Sequence, residues 1–120
     1  MSGPVFRVGT RGSQLAMTQS RWAAEAVSRA GGIDHELVTV RTEGDVLTGP
    51  LSQMGGTGVF ATALRSQVLD GAVDLAVHSL KDLPTAAVTG LTIAALPQRE
   101  DPRDALCARD GLTLDELPEG

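Results

Sequence analysis

The chain has 120 residues, 42% hydrophobic and 21% charged, with a formal net charge of -5. That composition describes one soluble globular domain with a modest core, and the acidic balance without a Lys/Arg run argues against nucleic acid as the main partner. No apolar run approaches the roughly 20 residues a membrane helix needs.

Aromatic content is 2% with no Tyr, so the core must be aliphatic. Cys107 is the only cysteine, which excludes an internal disulfide and fits a reducing compartment. The opening Met1-Ser2-Gly3-Pro4-Val5-Phe6-Arg7 lacks a basic segment followed by a long apolar one, so no secretory signal is expected. The chain reads as cytoplasmic.

In chain order, Val5 to Gly9 reads as a strand, and Thr10-Arg11-Gly12-Ser13 as a turn with Ser13 placed to cap a helix. Leu15, Trp22, Ala23, Ala26, Val27 and Ala30 recur at helical spacing, and Gly31-Gly32 stops the helix. Glu36 to Thr42 reads as a second strand. Residues 44–58 carry six Gly or Pro and no periodicity, the pattern of a long loop or lid. A second helix is expected from Val59 to Asp70, burying Val59, Phe60, Ala63, Leu64 and Val68. Val73 to Val77 reads as a strand buried on both faces, Leu91 to Leu96 as a fourth strand and Asp104 to Ala108 as a fifth. Thr113-Leu114-Asp115-Glu116 matches a capping box, although Pro118 leaves little helix to cap. This order predicts an α/β fold with a mostly parallel sheet flanked by helices. The ending Leu117-Pro118-Glu119-Gly120 reads as that of a fragment.

The stretch from Val73 to Thr85 organises the rest. An apolar strand turns abruptly polar at His78, Ser79, Lys81 and Asp82, and open α/β sheets place ligands at that carboxyl edge. Asp82 is the expected centre of the chemistry. The plainer alternatives are a satisfied histidine and a surface Lys81–Asp82 ion pair. A serine-hydrolase reading fits poorly, because neighbouring strand residues 78 and 79 would face opposite ways. Gly9-Thr10-Arg11-Gly12-Ser13 joins strand to helix as an anion site would. An ordinary turn with a surface arginine fits the local pattern slightly better. Gly55-Gly56-Thr57-Gly58 is better read as a moving lid than as a phosphate loop, since no lysine follows. No spacing near His35 or His78 suggests a metal site. Cys107 reads as a buried small hydrophobe. Asp101-Pro102-Arg103-Asp104 reads as a turn with surface ion pairs, or alternatively a hinge.

Taken together, these stretches are more specific than any one of them. Arg7-Val8-Gly9-Thr10-Arg11-Gly12-Ser13-Gln14-Leu15-Ala16, Thr42-Glu43-Gly44-Asp45, Gly55-Gly56-Thr57-Gly58-Val59-Phe60, Asp74 to Thr85 and Arg99 to Ala105 resemble, in order and spacing, the porphobilinogen deaminase (hydroxymethylbilane synthase) family. The resemblance implies a domain like half of a type II periplasmic binding protein, spanning 1–103, with 104–120 a hinge and the start of a second domain. It implies condensation of four porphobilinogen molecules into a linear tetrapyrrole with loss of ammonia, on a dipyrromethane primer held by a cysteine. Asp82 matches the family's catalytic aspartate. Arg11, Ser13, Ser79 and Lys81 match positions that hold pyrrole carboxylates or the primer, and Phe60 matches an aromatic that packs on a pyrrole. The implied partners are porphobilinogen, the growing polypyrrole and the remaining domains of the same polypeptide.

Two departures stand out. Gln53 and Thr57 replace lysines that many members carry around the glycine loop, so the lid formed by Gln53, Gly55, Gly56, Thr57 and Gly58 lacks two cationic contacts. The larger departure is length: the family's second-domain arginines and primer-bearing cysteine are expected beyond Gly120, as is a strand that completes the first sheet, and Cys107 does not match that cysteine. The isolated chain is therefore expected to be inactive, with an unpaired sheet edge that favours self-association. The rival readings are a binding module that captures a small carboxylate without chemistry, and a structural domain with a coincidental motif.

Overall fold

A computed structural model describes residues 3–42, 58 and 60–120. The expected residues Glu43 to Thr57 and Val59, including Gln53, Gly55, Gly56 and Thr57, lie outside the described residues. The described elements are β1 (Val5–Thr10), α1 (Gln14–Gly31), β2 (Asp34–Thr39), α2 (Thr62–Leu69) and β3 (Leu75–Ala76). Single turns of 3₁₀ helix follow at Leu80–Asp82, Arg109–Gly111 and Leu114–Glu116. The three strands form a parallel sheet in the order β2-β1-β3, so the α/β expectation holds.

The central strand is β1, and a central parallel strand loses solvent on both faces. Phe6, Val8 and Thr10 are buried accordingly, and Val8 pairs with Leu37 on one side and Leu75 on the other. Gly9 lies where α2 comes closest. A Cβ there would stand 3.0 Å from Leu64 Cδ2 and 3.1 Å from Val73 Cγ2, both on wholly buried side chains. Glycine at this position lets helix and strand approach to native packing density.

Helix α1 starts and stops as its sequence demands. Ser13 Oγ accepts the N–H of Ala16, and Gly32 closes the helix in the left-handed conformation with its N–H on Ser28 O. Its packing face differs from the expected one. Ser20 and Ala24 are buried against the sheet, whereas Leu15, Trp22 and Val27 are 59%, 48% and 43% exposed. Small side chains set the helix close to β1, and the larger apolar residues project from its flanks. Ser28 Oγ and His35 Nδ1, 2.6 Å apart, join the end of α1 to β2, and the His35 ring tilts against Phe6.

Several boundaries move. Strand β2 begins at Asp34 and ends at Thr39, not 36–42, although Val40 N–H still donates to Thr10 O. Helix α2 begins at Thr62, because Gly58 O first accepts the N–H groups of Ala61 and Thr62 in a turn. It buries Leu64, with Phe60, Ala63 and Val68 half-buried. Strand β3 shortens to Leu75–Ala76, bracketed by N–H donation from Asp74 to Arg7 O and from Val77 to Gly9 O.

The expected fourth and fifth strands are absent. Residues 91–96 and 104–108 run without ladder partners, and Ile93 and Leu96 are 59% and 68% exposed. Strand propensity needs a neighbouring strand to pack against, and the described residues supply none there. Cys107 is exposed, not buried, for the same reason. Asp101 and Arg103 form an exposed ion pair in a turn, as expected. The Thr113–Glu116 capping box is complete and caps one 3₁₀ turn. The chain extends over 61 × 36 × 23 Å with a radius of gyration of 18.1 Å. A compact domain of this length has about 14 Å. Residues 92–107 are exposed throughout.

Candidate functional site

Three segments far apart in sequence meet at the carboxyl edge of β1 and β3. They are the β1–α1 turn, the residues leading into α2, and the polar turn after β3. Between them lies a cleft of about 230 Å³ bordered by Arg11, Ser13, Phe60, Ser79, Lys81 and Asp82. Every binding and catalytic residue expected from the sequence, apart from the lid, borders this one space. The fold explains the convergence: parallel strands end at the same edge, so the turns that follow them are neighbours.

Arg11 leaves the end of β1 and lays its guanidinium over Phe60, 4.0 Å from the ring centroid. Cation–π contact of this kind orders a long side chain. Ser13 serves both as helix cap and cleft wall. Its oxygen accepts from Ala16 N–H, and its own proton remains to donate. Ser79 Oγ donates to Gln19 Oε1 at 2.9 Å, tying the turn after β3 to α1. Asp82 closes that turn, with its N–H on Ser79 O at 2.9 Å. Gly58, the one described residue of the expected lid, has φ 91° and would place a Cβ 3.0 Å from Pro84 Cγ. The described end of the loop therefore rests on the proline that follows the polar turn, in a conformation that suits glycine.

His78 also borders the cleft. Burial holds its pKa below the ordinary 6.5; the charge of Asp82 opposes that shift, and Arg65 and Arg11 reinforce it. His78 and Ser79 share the cleft because regular strand ends at Ala76, so alternation no longer separates their side chains. The serine-nucleophile reading still fails, since the Ser79 proton goes to Gln19 and not to His78. The sequence reading missed Gln19, which lies one turn beyond the cleft-lining Leu15 and Ala16 on α1. Helical spacing from Leu15 would have found it. Among the described residues, no group of three or more His, Cys, Asp or Glu could hold a metal ion, and no helix is long and apolar enough to cross a membrane.

Fold and site together define an α/β domain whose strand-edge cleft is bordered by two cations, two hydroxyls, an aromatic ring and one carboxylate. Residues 6–120 match the family model described as porphobilinogen deaminase, dipyromethane cofactor binding domain, and the chain belongs to that family. It is 67% identical over 115 residues to the porphobilinogen deaminase of Micrococcus luteus, covering 96% of this chain and 30% of the relative. It is 61% identical over 115 residues to that of Leifsonia xyli subsp. xyli, covering 96% and 35%. It is 57% identical over 116 residues to that of Mycobacterium tuberculosis, covering 97% and 37%. The chain thus spans about a third of the length of the curated relatives it matches.

Proposed function

We propose that this chain is the amino-terminal, cleft-forming domain of a cytoplasmic hydroxymethylbilane synthase, which joins four porphobilinogen molecules head to tail and releases ammonia. The observation that carries the reading is the meeting of Arg11–Ser13, Phe60 and Ser79–Asp82 around one cleft. The donor set suits dipyrromethane: two cations and two hydroxyls for acetate and propionate groups, and a carboxylate for pyrrole N–H. When bound, that group supplies the pyrrole carbon to which the next unit is joined.

Each residue has a role that follows from its chemistry. Arg11 and Lys81 hold ring carboxylates, Arg11 in a planar fork and Lys81 as an exposed point charge. Ser13 donates its free proton to the same groups, and Ser79 adds a hydroxyl beside them. Phe60 offers apolar surface to a pyrrole ring, with Arg11 already covering one face. Asp82 stabilises positive charge that develops on pyrrole nitrogen and accepts the proton that leaves on bond formation. Burial lowers the proton affinity of His78, and the charge of Asp82 opposes that shift.

The domain spans 1–103 and adopts the type II periplasmic-binding-protein form, with 104–120 a hinge into a second domain. Gln53, Gly55, Gly56, Thr57 and Gly58 form its lid. The primer-bearing cysteine belongs to the part of the relatives that this chain does not cover, and the 120-residue chain alone is inactive. The test is porphobilinogen consumption by the protein extended to the length of its relatives, with Asp82→Ala alongside. Turnover lost in the variant, with the fold intact, supports the reading. Turnover retained in Asp82→Ala removes the role of Asp82, and no turnover in either points to a carboxylate-binding module.

A further inference from the structure

Arg11 is a long side chain on a turn, yet its guanidinium sits at a defined place over Phe60. Two hydroxyls outside the cleft lining bear on the backbone of Arg11. Ser20 Oγ donates to Thr10 Oγ1 at 2.7 Å, and Thr10 Oγ1 donates to Arg11 O at 2.9 Å. Both Thr10 and Ser20 are wholly buried. On the other side of Arg11, Val40 N–H donates to Thr10 O at 2.8 Å. Both peptide planes flanking the Arg11 Cα are thereby held, one by Val40, just past β2, and one by the hydroxyl pair. With φ and ψ constrained, the direction of the Cα–Cβ bond is set, and only side-chain rotation is left for the cation to lose.

We propose that Thr10 and Ser20 are positioning residues that aim Arg11 into the cleft, so that the α1–β1 core contact sets carboxylate binding. The binding consequence rests on the assignment of Arg11 given above; the positioning itself does not. A relay of this kind has direction. Ser20 spends its proton on Thr10, and Thr10 spends its proton on Arg11 O, so the Thr10 hydroxyl is oriented by Ser20. Removing either hydroxyl frees the second peptide plane.

The test uses Thr10→Val, which replaces the hydroxyl by a methyl of equal shape, Thr10→Ser, which keeps the hydroxyl, and Ser20→Ala. The structural readout is the Arg11 Nε–Hε resonance in this chain, shifted upfield by the Phe60 ring and identified by its return in Phe60→Leu. The functional readout is KM against kcat for porphobilinogen in the extended protein. Thr10→Val and Ser20→Ala are expected to lose the ring shift and raise KM roughly five- to tenfold, the worth of one neutral hydrogen bond, with little change in kcat. Thr10→Ser is expected to restore both. A ring shift that persists in a folded Thr10→Val or Ser20→Ala overturns the proposal, as does failure of both variants to fold, which would make the pair a core element only. A lost ring shift with unchanged KM upholds the positioning and overturns instead the assignment of Arg11 to substrate carboxylates.

Discussion

At His78, burial and charge pull in opposite directions, and burial wins. Its proton affinity is lowered first by desolvation; Asp82 opposes this, and Arg65 and Arg11 add to it. A titration of the His78 ring resonances should give a pKa below 6.5. Asp82→Asn should lower it further by removing the opposing charge, and Arg65→Gln should raise it. The linkage follows: the unfolded chain binds this proton more readily, so His78 favours the native state fully above pH 6.5. That contribution falls as pH drops through 6.5 toward the native value, and denaturant midpoints at pH 7.5 and 5.5 would show it when compared with His78→Gln. Ser13 carries a separate expectation. As the α1 cap, its replacement in Ser13→Ala should cost about 1 kcal/mol, and in Ser13→Gly only a few tenths, measured by denaturant unfolding. The residue types of this site were legible in sequence because ionisable groups ending an apolar strand are conspicuous. The hydrogen bond from Ser79 to Gln19 was not, since it spans 60 positions and depends on where α1 sits.

Among elements, the closest fit is α2 on β1. A Gly9→Ala Cβ would meet Leu64 and Val73 at 3.0 and 3.1 Å, so overpacking should destabilise the protein by about 1–3 kcal/mol. Leu64→Ala alone should cost about 2–5 kcal/mol as a cavity in a fully buried site. In the double variant the new methyl enters the space Leu64 vacates, so the combined loss should fall short of the sum; additive values would show that the two do not share that space. The helices and the first two strands were readable from periodicity and caps. Their boundaries shifted by two or three residues at the ends of β2 and the start of α2, where hydrogen bonds to Thr10 O and Gly58 O lie just outside the elements. The buried face of α1 was misread, because Ser20 and Ala24 win the contact by being small and not by being hydrophobic.

At the scale of the molecule, a packed parallel sheet is continued by a long exposed segment. Arg99 and Arg103 lie in that segment, so brief trypsin treatment should cut there first and leave a fragment containing β1, α1, β2, α2 and β3. Intact mass measurement of the products would check this; initial cleavage at Arg7 or Arg21 would contradict it. Cys107 should react with a thiol reagent in the native chain almost as fast as in the unfolded one. The expected strands at 91–96 and 104–108 were local readings of β-prone sequence. A strand exists only when a partner edge is in register, which sequence periodicity does not encode.

The sequence by itself determined the family, the α/β order of elements, the caps of α1 and the identities of the cleft-lining cations, hydroxyls, aromatic and carboxylate. Those follow from residue type and local spacing, which act over a few bonds. Tertiary structure alone decided that Arg11 stacks on Phe60, that Thr10 and Ser20 latch the turn behind it, that Gln19 takes the Ser79 proton, and which expected strands lack a partner. Each of those depends on how closely α1, α2 and the turn after β3 approach one another, a quantity set by packing across the sheet.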